Sequence, residues 1–268
     1  MATVVACVNL KGGVGKTAIA VNFAAYCGSQ GLKTLLVDLD SQTNATFCCI
    51  TVDEWQKHAV EKGTVADLLG ARGHTSAEGG TKDIQTVIRK KVFKNVDLIP
   101  SHLDLITVDL DLSSAVAREF KLKKALKSVL EKYEIIVCDC PPNLTIPTQN
   151  AIACSDHYVV PVSPDFLSGI GVGLLLSRVG ELCDDLEHEI ELAGIIVSRV
   201  GRPAYHRDEV ITGLRTKFKG KVFTSKIKER VAVSEAAAKN IPIYSAGDAQ
   251  AASEFTAMSR ELLSRIGV

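Results

Sequence analysis

The chain has 268 residues, 46% of them hydrophobic and 23% charged, the balance of an ordinary globular fold large enough for a substantial core. Its 31 basic and 31 acidic residues cancel, so bulk charge gives no argument for nucleic-acid binding. No apolar run approaches a membrane span, no secretory leader is read and no Pro/Gly/Ser-rich linker divides the chain, so a single cytoplasmic domain over residues 1–268, without stable membrane insertion, is expected.

Residues 3–9 form an apolar, β-rich run that reads as a buried strand, and nothing before it reads as a partner- or operator-binding extension. The loop Lys11-Gly12-Gly13-Val14-Gly15-Lys16-Thr17 follows, and from Ala18 to Gln30 the apolar positions fall at helical spacing. Strand, glycine-rich loop and helix form a phosphate cradle: glycines let successive backbone N–H groups curl around a polyphosphate, and the helix turns its positive end toward the same anion. Lys16 is placed to neutralise β and γ oxygens, and the Thr17 hydroxyl to hold Mg²⁺. The strict pattern wants glycine at position 10, where Leu10 stands; Lys11 is the added feature.

Gly31 breaks the helix, and residues 34–37 form a second strand ending in Asp38-Leu39-Asp40-Ser41-Gln42. Strand, crossover helix, strand implies a parallel sheet. Residues 43–83 are less regular, with a short helix at 64–69 and an exposed Gly/Ser/Thr-rich loop at 72–80. A strand is expected at 96–100, helix from there to Ser113, and a longer helix from Ala115 through Tyr133. Residues 135–139 form an apolar strand ending in Asp139, after which Pro141 and Pro142 turn the chain out. Strands at 157–162, 192–200 and 222–227 alternate with helices at 167–186, 205–218 and 253–266. The fold class is therefore α/β, a doubly wound, mostly parallel sheet flanked by helices.

Eight cysteines (Cys7, Cys27, Cys48, Cys49, Cys138, Cys140, Cys154, Cys183) show no metal-ligand spacing and read as free thiols in a reducing compartment. Charge is unevenly distributed. From Arg199 to Arg230 ten Lys/Arg oppose three acids, a net +7, just after an acidic stretch at 181–191. In an open parallel sheet ligands bind at the carboxyl ends of the strands, which singles out Asp38, Asp40 and Asp139.

The front lysine of Lys11-Gly12-Gly13-Val14-Gly15-Lys16-Thr17 resembles that of the deviant Walker A ATPases, the group of P-loop proteins that includes ParA/Soj-type partition ATPases, MinD-type division regulators, nitrogenase iron protein and arsenite-pump ATPases. The likeness to the ParA type extends over residues 3–44, 95–103 and 133–143, and to Val231-Ala232-Val233-Ser234-Glu235-Ala236 and Asn240-Ile241-Pro242-Ile243. It implies an ATP- and Mg²⁺-dependent ATPase that forms a sandwich dimer, with Lys11 reaching the partner's nucleotide and residues 11–18, including Ala18, cradling its own. Lys11, Lys16 and Asp40 become the catalytic set. Asp40 resembles the switch acid that positions the attacking water, and Asp139 the acid that holds Mg²⁺ through water; Thr17, Asp40 and Asp139 are the metal-side residues. Three departures stand out: Ser41 replaces a common proline, Cys140 a common threonine, and 226–230 lacks the family's I-P-R-N, which leaves the adenine contacts unassigned.

The same resemblance implies non-specific DNA binding by basic residues near the C-terminal part of the dimer, with Arg199, Arg202, Lys226, Lys228 and Arg230 as candidates. The plainer reading of residues 217–221 is a solvated helix end. A ParB-like centromere-binding or cargo-adaptor protein is the implied activating partner, and the nucleoid the implied location. A MinD-like membrane regulator would need a basic, bulky amphipathic C-terminal helix, but residues 253–268 read instead as a helix packed on the sheet. An iron–sulfur reductase would need a cysteine between Asn143 and Thr148, where there is none.

Overall fold

The computed structural model describes residues 1–70, 82–165, 167–201 and 205–268. The Gly/Ser/Thr-rich loop expected at 72–80 lies outside the described residues. Eight strands form one sheet: β1 (Thr3–Cys7), β2 (Thr34–Asp38), β3 (Arg89–Phe93), β4 (Val96–Ile99), β5 (Ile135–Asp139), β6 (His157–Val162), β7 (Glu191–Val200) and β8 (Val222–Lys228). Their spatial order is β3-β4-β2-β5-β1-β6-β7-β8, and every pairing is parallel except β3 with β4.

All five residues of β2 and of β5 are buried, because helices cover both faces and leave no strand position for water. Alternate residues feed the two layers: Val4, Ala6 and Val8 pack on one face, Val5 and Cys7 on the other. The chain runs from β1 outward in both directions, so β1 stands at the point where the winding reverses and the loop after it faces a crevice.

The helix Lys16–Ser29 is apolar nearly all round and buried over most of its length. It packs beside the C-terminal helix Ala249–Arg265, which buries Ala251, Phe255, Met258 and Leu262. That helix is thus spent on the core, as the sequence suggests, and no helix among the described residues is long and apolar enough to cross a membrane. Among the described glycines the closest approach is at Gly28, where an added Cβ would lie 2.2 Å from the Lys94 carbonyl oxygen and 2.6 Å from Val96 Cγ2. Alanine normally favours a helix over glycine by about 1 kcal/mol. Here the obstacle is backbone, which no rotamer change relieves, so Gly28→Ala is expected to destabilise by about 2 kcal/mol or more. A thermal midpoint lowered by roughly 5 °C or more checks this.

Four stretches depart from the expectation. A regular helix, Val52–Glu61, opens on a reciprocal cap between Thr51 and Glu54, and β3 adds an antiparallel edge. The long helix expected from Ala115 through Tyr133 is broken into Arg118–Phe120, Lys121–Leu126 and Leu130–Lys132. Ala117 is left-handed (φ 54°), and Asn150 takes over backbone groups by accepting from Leu122 N–H (2.9 Å) and donating to the Arg118 carbonyl (2.9 Å). The helix expected up to Ser113 is likewise reduced to the short turns Leu103–Ile106 and Val108–Asp111.

Candidate functional site

The loop after β1 depends on glycine where it curls. Gly13 (φ 73°) and Gly15 (φ 87°) lie in the left-handed region, and Gly15 begins the helix Lys16–Ser29 with no side-chain cap. The amides of the first helical turn are therefore left for a ligand. Asn9 braces the loop, donating to the Pro161 carbonyl (2.6 Å) and accepting from Lys11 N–H (2.9 Å).

The two lysines differ. Lys16 is buried, its ammonium donating to the carbonyls of Asn9 (3.2 Å) and Lys11 (3.1 Å). Lys11 is exposed and pairs with Asp165 on the far side of the loop, at 2.5 Å.

The acids stand together because the strands are in register: Asp38 faces Asp139 across β2 and β5, and Cys7 faces Asp139 across β1 and β5. Asp139 is fully buried and, among the described residues, neither carboxylate oxygen has a hydrogen-bond partner. Burial, then the charges of Asp38 and Asp40, push its pKa well up; the Thr17 hydroxyl and the Lys16 charge oppose the shift. A buried carboxylate left so is costly unless a cation completes it, and an oxygen donor beside a phosphate cradle suits Mg²⁺. Among the described residues no group of three or more His, Cys, Asp or Glu could hold a metal, so most ligands of such a cation would come from phosphate and water.

Asp38 is an organiser of its loop. It accepts from Asp40 N–H (3.1 Å), Thr46 N–H (2.8 Å) and the Thr46 hydroxyl (2.7 Å), while burial pushes its pKa to about 7 against those bonds. Asp40 lines the cleft and accepts from Gln42 N–H (3.0 Å). Its carbonyl is held by the Ser101 hydroxyl (2.7 Å), and Ser101 N–H donates to the Thr46 hydroxyl (2.9 Å). Ser101 was not singled out by the sequence; a serine directly after the β4 strand run was the available signal.

A cleft of about 850 Å³ runs from the loop to an apolar end formed by Ile227, Val231, Val233 and Phe255. β7 closes one side: the Ser198 hydroxyl donates to the Val14 carbonyl (2.5 Å), and Arg199 donates to the Gly13 carbonyl (2.7 Å) while pairing with Glu229. Arg199 thus braces the phosphate loop. Of the other basic candidates, Arg230 pairs with Glu254 (2.8 Å), Lys228 lies 3.9 Å from the same carboxylate and Lys226 is half-buried. Arg202 lies outside the described residues. The eight cysteines are free, five of them buried.

The AAA domain family AAA_31 matches residues 2–192. The chromosome-partitioning ATPase Soj of Treponema pallidum is 34% identical over 97% of this chain and 96% of its own length. The cell division protein PomZ of Myxococcus xanthus is 32% identical, covering 96% of this chain and 77% of its own. A plasmid partition protein of Borrelia burgdorferi, solved with AMPPNP, superposes with a TM-score of 0.81 at 23% identity over 99% of this chain and all of its own (100%), a likeness of fold.

Proposed function

The chain belongs to the ParA/Soj-type P-loop ATPases of the partition family, and from that premise we propose that it is a dimer switch: ATP joins two copies face to face, the pair holds DNA without regard to sequence, and hydrolysis releases it. The cargo is a plasmid, a chromosome origin or a protein assembly. A ParB-like centromere-binding or cargo-adaptor protein stimulates the otherwise slow turnover, and the nucleoid is where the dimer resides. The chain acts as one domain in this cycle.

The observation that carries the reading is the division of labour between the lysines. Lys16 is buried among loop carbonyls, where its charge serves the chain's own phosphates. Lys11 is exposed and held, among the described residues, only by a surface acid, an ion pair of the kind worth about 1 kcal/mol or less and readily exchanged for a phosphate across an interface. Bound Mg²⁺ would neutralise phosphate charge; Thr17 and Asp139, with Asp40 beside them, are the residues that would hold it. Residues 12–18 would wrap the phosphates through backbone amides, and the apolar end of the cleft would take the base. The Asp40 carboxylate would orient the attacking water, with Asp38 and Ser101 fixing the loop that carries it. Arg199, Arg202, Lys226, Lys228 and Arg230 remain the proposed DNA contacts, Arg199 and Arg230 exchanging their acid partners for phosphate.

Lys11→Ala tests the reading. ATP affinity stays within about threefold of wild type, while ATP-dependent retention of an arbitrary duplex in a gel-shift assay is lost. Retained DNA binding would remove Lys11 from the switch.

A further inference from the structure

Most of the conspicuous basic side chains near the nucleotide cleft have acids beside them. A denser group of lysines lies elsewhere. At the opposite end of the sheet, a pocket of about 510 Å³ is lined by Lys33, Lys90, Lys91, Lys94 and Lys132, with Asp97 as the one acid in its wall. All five lysines are exposed.

Topology makes the cluster. Lys33 immediately precedes β2, Lys94 and Asn95 precede β4, and Lys132 stands three residues before β5. These are three neighbouring strands whose registers align Thr34 with Val96 and with Ile135. Lys90 and Lys91 come from the bulged β3 edge.

Asp97 offsets only one of the five charges: it pairs with the Lys90 ammonium (2.9 Å) and also accepts from the Lys91 N–H (2.8 Å) and the Tyr133 hydroxyl (2.7 Å). Nearby Glu134 accepts from the Lys33 N–H (2.8 Å). Lys132 donates to Gln85 (2.9 Å). The ammonium groups of Lys33, Lys91 and Lys94 have no partner among the described residues.

We propose that this lysine pocket at the β3–β4 edge is a contact surface for the phosphate backbone of DNA, a surface additional to the basic segment after β7. The inference rests on the DNA-holding reading above and places part of that affinity. Three adjacent strand starts span roughly 10 Å, over which a duplex presents about six phosphates. Lysine heads are point charges that follow phosphate without base readout, whereas carboxylates of an acidic protein are best met by arginine forks. Lying at the amino ends of the parallel strands, the surface leaves the nucleotide cleft unobstructed.

The test is a triple variant, Lys33→Gln, Lys91→Asn and Lys94→Gln. These side chains hold nothing else, and asparagine suits the left-handed backbone at Lys91 (φ 58°). Binding of a random-sequence duplex is measured with ATP at several salt concentrations, alongside ATP turnover and binding of polyglutamate. The expected result is unchanged turnover with a log K against log [salt] slope shallower by about two to three units. A wild-type slope in a variant that still binds DNA overturns the inference and leaves the DNA-holding reading intact. Failure of the wild-type protein itself to bind DNA with ATP overturns both. Loss of polyglutamate binding with an unchanged DNA slope assigns the pocket to an acidic protein and also overturns the inference.

Discussion

Lys16→Ala is expected to weaken ATP binding by at least 100-fold while the chain stays folded. The Lys16 ammonium is buried at the root of the loop and already donates to two carbonyls, those of Asn9 and Lys11. A charged hydrogen bond is worth about 1.5–3 kcal/mol, so losing two phosphate contacts, one to a β and one to a γ oxygen, corresponds to roughly two to four decades in affinity. Alanine leaves the two loop carbonyls unmatched, but they border an open cleft that water can reach, and the helix keeps a strong helix former at its first position. Titration calorimetry against ATP, with circular dichroism as the folding control, reads the effect. An affinity within about threefold of wild type would mean that Lys16 is a structural lysine only.

Asp40→Ala separates hydrolysis from binding. The carboxylate lines the cleft, and its loop is fixed from behind by Ser101 on the Asp40 carbonyl and by Thr46 on Asp38. Removal of the side chain loses one bond, from Gln42 N–H, worth about 1 kcal/mol. The proposed loss in chemistry is larger, since positioned acid–base groups contribute about 10²–10⁴-fold. Turnover is therefore expected to fall by about 100-fold or more, with ATP affinity within a few-fold and ATP-dependent DNA binding retained. Asp40→Asn should behave alike. Lost nucleotide binding in both variants would place Asp40 in the cradle instead.

Much of the centre of the molecule is legible in the sequence because it is local. Glycines at 13 and 15, a lysine and a threonine opening a helix, and acids closing apolar strands each declare their chemistry within a few residues. The helix Val52–Glu61 is not read, although Thr51 and Glu54 form its cap, because the polar residues 56–58 within it blur the apolar spacing. Nor is the break at Ala117, because Asn150, far along the chain, supplies the bonds that replace the helical ones.

Arg199 shows the same limit at the site. Charge counting offers it to DNA but is blind to its second contact: the order β1-β6-β7 brings it over the loop, where it bonds to Gly13. Asp165, the partner of Lys11, and the lysines of Lys33 and the β3 edge are likewise brought into place by strand order rather than by spacing. No short window of sequence contains them.

The central claim is that nucleotide drives assembly through Lys11. Sedimentation velocity of the Asp40→Ala protein, with and without ATP and Mg²⁺, tests it most directly. The account predicts the 28.7 kDa chain alone without nucleotide, twice that mass with ATP, and no doubling when Lys11→Ala is added although ATP still binds. A mass independent of ATP, or a dimer that forms equally well without Lys11, would contradict it.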